Sequence, residues 1–267
     1  MLKKESGMKN RRSWFRDFAV TAVVMATLSS GNLFAQGRGG GPPQTAKVAA
    51  PIDLTGYWVA VISEDWRWRM VTPDKGDFSS VPLNIEGRRV ADTWDPAKDE
   101  AAGEQCRVYG APSLMRLPTR LHISWQDDNT LKIETDMGTQ TRLLHFGETP
   151  EKGARSWQGL SFAEWEFDAG TGAPRRGGGP TGPRDLKVET TNLKAGYYRR
   201  NGIPYSDNAK LTEYIDLFPK LPNGDEWLVI NAIVDDPQYL TERFITSSNF
   251  KREKDGSKWH PTPCTSR

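Results

Sequence analysis

The stretch Leu121–Phe146, LHISWQDDNTLKIETDMGTQTRLLHF, decides the fold class. Leu121, Ile123 and Trp125 alternate with His122 and Ser124. Leu131, Ile133 and Thr135 alternate in the same way with Lys132, Glu134 and Asp136. Successive side chains of a strand point to opposite faces, so a period of two predicts strands with one apolar and one polar face. Asp127-Asp128-Asn129-Thr130 carries turn chemistry, and Met137-Gly138 makes a second turn before a third strand at Arg142–Phe146. The stretch therefore predicts an antiparallel meander.

The same alternation recurs outward from this meander at Tyr57–Ile62 and over 156–168, 186–194, 211–218, 226–236 and 243–253. PNGDE at Pro222–Glu226 reads as a hairpin turn. One helix is expected over 84–103, interrupted at Asp95-Pro96. Eight to ten strands, one short helix and no strand–helix alternation predict a mainly β fold, either an antiparallel barrel or a sandwich. Closure into a barrel would remove the exposed edges that such apolar strands present. Residues 52–267 are expected to form one domain, preceded by a flexible lead-in at 36–51 and carrying a Gly/Pro-rich loop at 169–185.

Residues 1–35 have the layout of a signal peptide: basic residues from Lys9 to Arg16, an apolar run from Phe18 to Leu28, and small residues ending at Ala35. Arg11-Arg12, one spacer and Trp14-Phe15 resemble a twin-arginine export signal, with Asn10 where Ser or Thr is usual; a Sec signal is the other route. The apolar run is too short to span a bilayer stably. A periplasmic or secreted protein with no stable membrane span is the expectation. The leader holds six basic and two acidic residues, which leaves 30 basic and 32 acidic beyond it, a net charge of −2. That balance lacks the basic stripe that a phosphate backbone requires, so nucleic acid is not an expected partner. The two cysteines, Cys106 and Cys264, predict a disulfide in an oxidising compartment; a metal pair is the alternative, without a CxxC or a neighbouring histidine to support it.

Gly56-Tyr57-Trp58 resembles the GxW opening of lipocalin barrels. A broader resemblance, over roughly residues 52–264, is to secreted bacterial β-proteins of unassigned function. It rests on an ordered series: Asp53–Trp58, Cys106 with Gly110-Ala111-Pro112, Arg142, and Gly159 to Glu166. Tyr205-Ser206 with Thr212-Glu213-Tyr214, then Asp236-Pro237 with Thr241, complete it. Some relatives carry His at the position of Tyr205. The resemblance implies a lipocalin-like β-barrel and no particular activity.

Two functions follow as expectations. The first is a barrel that binds a small apolar or aromatic molecule, with Trp58, Trp66, Trp68, Trp125, Arg142 and Tyr205 as ligand-binding candidates. In it, Glu64–Met70 (EDWRWRM) is an extended lip with Trp66 and Trp68 on one side and Arg67 and Arg69 on the other. The second is a cofactor-independent lyase or isomerase built on His122, Glu134 and His145. Hairpin register places His122 close to Glu134 and His145 near Lys132. The chemistry needs that polar face to line the barrel; on the outside the same groups are solvated side chains. A filled structural module is the third possibility. No cofactor is expected, and two histidines and a carboxylate at this spacing do not specify a metal.

Overall fold

The computed structural model describes residues 44–148, 150–167, 183–218 and 220–267. The leader and most of the Gly/Pro-rich loop lie outside the described residues. The chain runs through β1 (Gly56–Val61), β2 (Arg120–Trp125), β3 (Thr130–Thr135), β4 (Thr141–Phe146), β5 (Leu160–Phe167) and β6 (Pro183–Thr191). A small hairpin follows, β7 (Gly196–Tyr197) and β8 (Pro204–Tyr205), then β9 (Lys210–Phe218), β10 (Trp227–Asp235) and β11 (Phe244–Glu253). Nine of these strands close into a barrel in the order β1-β11-β10-β9-β6-β5-β4-β3-β2.

The meander forms as its alternation requires. Leu121 and Ile123 are buried, as are Leu131, Ile133 and Leu144 on the neighbouring strands. One expectation is corrected. The sheet is mixed, because β4 pairs with β5 in parallel. Alternation of side chains reports faces and carries no information about strand direction. Within the lead-in, Ala46–Ala49 forms a helical turn (α1), where Lys47 N–H donates to Asp128 O and Ala46 N–H to Asn129 Oδ1.

One end of the barrel is sealed by Trp58, which is fully buried and donates from Nε1 to Leu54 O at 3.0 Å. The Arg252 guanidinium covers the ring at 4.2 Å and donates to the carbonyls of Asp53 and Thr55, stitching β11 to the entering chain. Truncating an aromatic plug of this kind costs about 3–5 kcal/mol. The other end carries a cap made of residues 62–119 and 192–209. The cap contains α2 (Trp66–Met70), α3 (Ile85–Ala91), α4 (Pro96–Ala101), a 3₁₀ turn at Arg107–Tyr109 and α5 (Ala111–Leu114). The expected interruption at Asp95-Pro96 is the break between α3 and α4, with Asp95 capping α4 and Pro96 at its first position.

The barrel lumen is filled. Leu114 and Met115 of the cap join Val108 and Tyr109 in one core with the inward residues of the strands. Above them, Val81, Leu193, Tyr198, Tyr205, Val234 and Phe244 form a second apolar cluster under the cap. Cys106 and Cys264 are bonded, which fastens the C-terminal tail to the cap.

Candidate functional site

His122 and Glu134 are directly cross-strand and their side chains meet, Nδ1 to Oε2 at 3.1 Å. They lie on the outer face, since Leu121 and Ile123 take the inner one. His122 stacks on Tyr57 with ring centroids 4.4 Å apart, and Trp259 of the tail closes on both edge-on. An open groove of about 790 Å³, bordered by Lys47, Asp53 and Trp125, runs beside it. His145 pairs with Thr130 rather than near Lys132, because the turn after β3 runs from Asp136 to Gln140. It is therefore separated from Glu134 along β3. Burial lowers its basicity, with Asp127 opposing. Among the described residues no group of three His, Cys, Asp or Glu is arranged to hold a metal.

The ligand-binding candidates are distributed between core and surface. Trp58 is the plug of the sealed end. Trp125 packs on Phe146 near the same end, at 5.6 Å between ring centroids. Arg142 is buried inside the barrel in a bidentate pair with Glu213. Its Nε also donates to Ser161 at 3.3 Å and its Nη2 to Thr190 at 2.8 Å, so all three of its nitrogens have acceptors. Tyr205 is fully buried under the cap, and burial raises its hydroxyl pKa, keeping it protonated. Its Oη has no hydrogen-bond partner among the described residues. A Cβ at Gly110 would fall 2.0 Å from that oxygen and one at Gly196 would fall 2.5 Å from it, so both positions must be glycine for the ring to enter.

These contacts bring separated motif residues together: Gly110 with Tyr205, and Arg142 with Glu213. Ser206 likewise donates from N–H and Oγ to Asp236 at 2.8 and 2.7 Å. Thr241 donates from N–H and Oγ1 to Pro82 O, tying the turn after β10 to the cap.

The segment Glu64–Met70 differs from its reading as an extended lip. Asp65 adopts a left-handed conformation (φ 51°), and Trp66–Met70 is the helical turn α2. Helical spacing sends Trp66 to solvent, 64% exposed, while Arg69 is buried. Arg69 meets two further arginines under the cap, Arg116 just after α5 and Arg199 in the β7–β8 connection. The three residues are 5%, 5% and 4% exposed. Arg69 Nε donates to Arg116 O at 2.8 Å, and Arg199 Nη1 donates to Ser79 O at 2.6 Å. Arg116 Nη2 donates to Asp65 Oδ2 at 2.6 Å, with Arg199 Nη2 3.9 Å from the same oxygen.

Aromatic rings cover two of the guanidinium groups, Trp68 at 5.0 Å from Arg199 and Phe244 at 5.5 Å from Arg116. Trp68 is itself held by a 2.8 Å bond from Nε1 to Asp77. Burial, and then the charge of Arg116, draw both Arg69 and Arg199 down to about 10, against the pull of Asp65. Arg69 Nη2, Arg116 Nη1, and Arg199 Nε and Nη2 are buried without a hydrogen-bond partner among the described residues. Sequence reasoning missed this cluster, since its arginines come from three distant segments.

No family model matches the chain, and no curated protein or solved structure matches it.

Proposed function

We propose that this protein is exported and binds a small molecule at the capped mouth of its barrel, between α2 and the β7–β8 connection. The observation that carries this reading is the set of buried guanidinium nitrogens that make no hydrogen bond there among the described residues. Buried polar groups are almost always hydrogen-bonded, and leaving such donors unmet is costly. Such donors are completed by ordered water, an ion or a ligand. The filled lumen favours the mouth over the barrel interior for a ligand, and Trp68 and Phe244 lie over two of the guanidinium groups there. Export is supported by the signal-like leader and by the Cys106–Cys264 bond.

Native mass spectrometry of protein recovered from the periplasm or the culture medium tests both parts. The expected mass corresponds to a chain beginning just after Ala35, with a bound small molecule that dissociates on denaturation. A full-length cytosolic species without any ligand, and without a response to a small-molecule panel, would sink the reading.

The lyase or isomerase reading needs the His122–Glu134 face inside the barrel, and the pair lies on the outer wall, where Leu121 and Ile123 take the inner face.

A further inference from the structure

We propose that Arg69, Arg116 and Arg199 hold the oxyanion head of the ligand, a carboxylate or a phosphate, and that Asp65 is the internal carboxylate which that head displaces. The inference rests on the mouth being the ligand site and names the chemistry taken there.

The donors specify the class. A guanidinium offers N–H groups in a planar fork that matches carboxylate and phosphate oxygens. Four such nitrogens, distributed over all three residues, are buried and make no hydrogen bond among the described residues, with Arg116 Nη1 and Arg199 Nη2 each 3.9 Å from a carboxylate oxygen. Trp68 and Phe244 cover guanidinium faces, which leaves the N–H edges as the polar surface of the site.

Charge points the same way. Three buried cations face Asp65 and the less buried Glu64, whose Oε1 lies 3.9 Å from Arg116 Nη1. Glu64 is also engaged elsewhere, accepting from Ser247 N–H at 2.9 Å. Asp77, which holds Trp68, also acts on Arg199 from the side, but Asp65 alone makes a short ion pair within the cluster, so the guanidinium N–H edges are incompletely met by carboxylate oxygens. Arg142 shows the contrasting arrangement, a buried arginine whose bidentate carboxylate and two hydroxyls give every nitrogen an acceptor.

Asp65 has the properties of a stand-in. It reaches Arg116 and Arg199 from a left-handed backbone conformation that a non-glycine residue adopts at a cost. Its side chain is 24% exposed, against 6% and 3% for the two arginines, so it stands on the solvent side of the cluster. An incoming oxyanion that takes over its bonds would release Asp65 to water.

The test is isothermal titration of the disulfide-bonded protein with inorganic phosphate and with benzoate, at constant ionic strength and with chloride as control. Saturable binding of at least one oxyanion is expected, with no response to chloride; whichever of phosphate or benzoate binds tighter identifies the head. Arg116→Gln and Arg69→Gln are expected to weaken binding at least tenfold. Arg89→Gln, at an α3 residue with a 66% exposed side chain paired with Glu86, should leave it unchanged. Asp65→Asn is expected to tighten binding at least fivefold by removing the competitor. Circular dichroism confirms that each variant is folded, and the wild-type titration stands independently of them. Oxyanion binding that is equal in wild type and Arg116→Gln overturns the assignment, and Asp65→Asn binding no tighter than wild type overturns the stand-in role. Should a neutral molecule bind at the mouth while both oxyanions do not, the site survives and the anionic class falls; no binding of any kind ends both.

Discussion

Charged groups in this molecule are governed by whether their partners sit inside or outside the barrel wall. Arg142 and Glu213 are both 1% exposed, so each depends on the other. Glu213→Gln should cost about 3–5 kcal/mol by leaving a buried guanidinium without its counter-charge, whereas the double change Arg142→Met with Glu213→Leu should recover most of that loss. Urea denaturation of the three variants measures it, and equal destabilisation by single and double variants would contradict the account. On the outer wall, Asp216 faces Asp185 across β9 and β6. Burial, then the hydrogen bond and charge of Asp185, push Asp216 up to about 7. An acid raised in the folded state carries no penalty below its unfolded range near pH 4, and its penalty grows as pH rises through about 7. Asp216→Asn should therefore stabilise the protein at pH 8 by ~1 kcal/mol, discounted for solvent screening, and leave it unchanged at pH 4. Paired thermal melts at the two pH values would show it. The His122–Glu134 contact could be read from the meander because a tight hairpin fixes register locally. Asp185 with Asp216, and Arg69 with Arg116 and Arg199, could not, because their partners are set by pairings between distant segments.

At the level of elements, the strands were legible and the short helices were not. Alternation in 121–146 and 211–218 depends on one buried face and survives in the sequence as a period of two. In Trp66-Arg67-Trp68-Arg69 the same period misleads: the segment is helical, begun by the left-handed Asp65, and its alternation is unrelated to a buried strand face. The parallel β4–β5 pair was hidden for a different reason, since the sequence carries no signal for direction. The entry into β5 is fixed by Gly159, at φ +63°, where an added Cβ would lie 2.4 Å from Thr191 O. Gly159→Ala combines a disfavoured conformation with a backbone clash and should cost about 2 kcal/mol or more. A neutral effect in chemical denaturation would show that the β5–β6 ladder yields more readily than its geometry implies. Gly147 also has a positive φ but nothing within 4 Å of its Cβ position, so Gly147→Ala should cost about 1 kcal/mol.

For the whole molecule, the barrel and its disulfide were foreseeable from strand count and the even cysteine number. The filling of the lumen by cap residues was not, since α5 is only four residues long and reads as loop. The Cys106–Cys264 bond spans 158 residues, which corresponds to about 5 kcal/mol of chain-entropy stabilisation. Reduction should lower the melting temperature by roughly 10–20 °C for a domain of this size, and an unchanged melt under reducing conditions would refute the estimate. The closure of the barrel sets a further condition. β1, near the start of the domain, hydrogen-bonds on one side to β2 and on the other to β11, whose last residue is Glu253. A chain still emerging from the ribosome can assemble the β2–β4 meander, yet β1 keeps one bare edge until β11 has been made. Barrel closure therefore waits for β11, and fragments ending before Phe244 should expose that edge and self-associate.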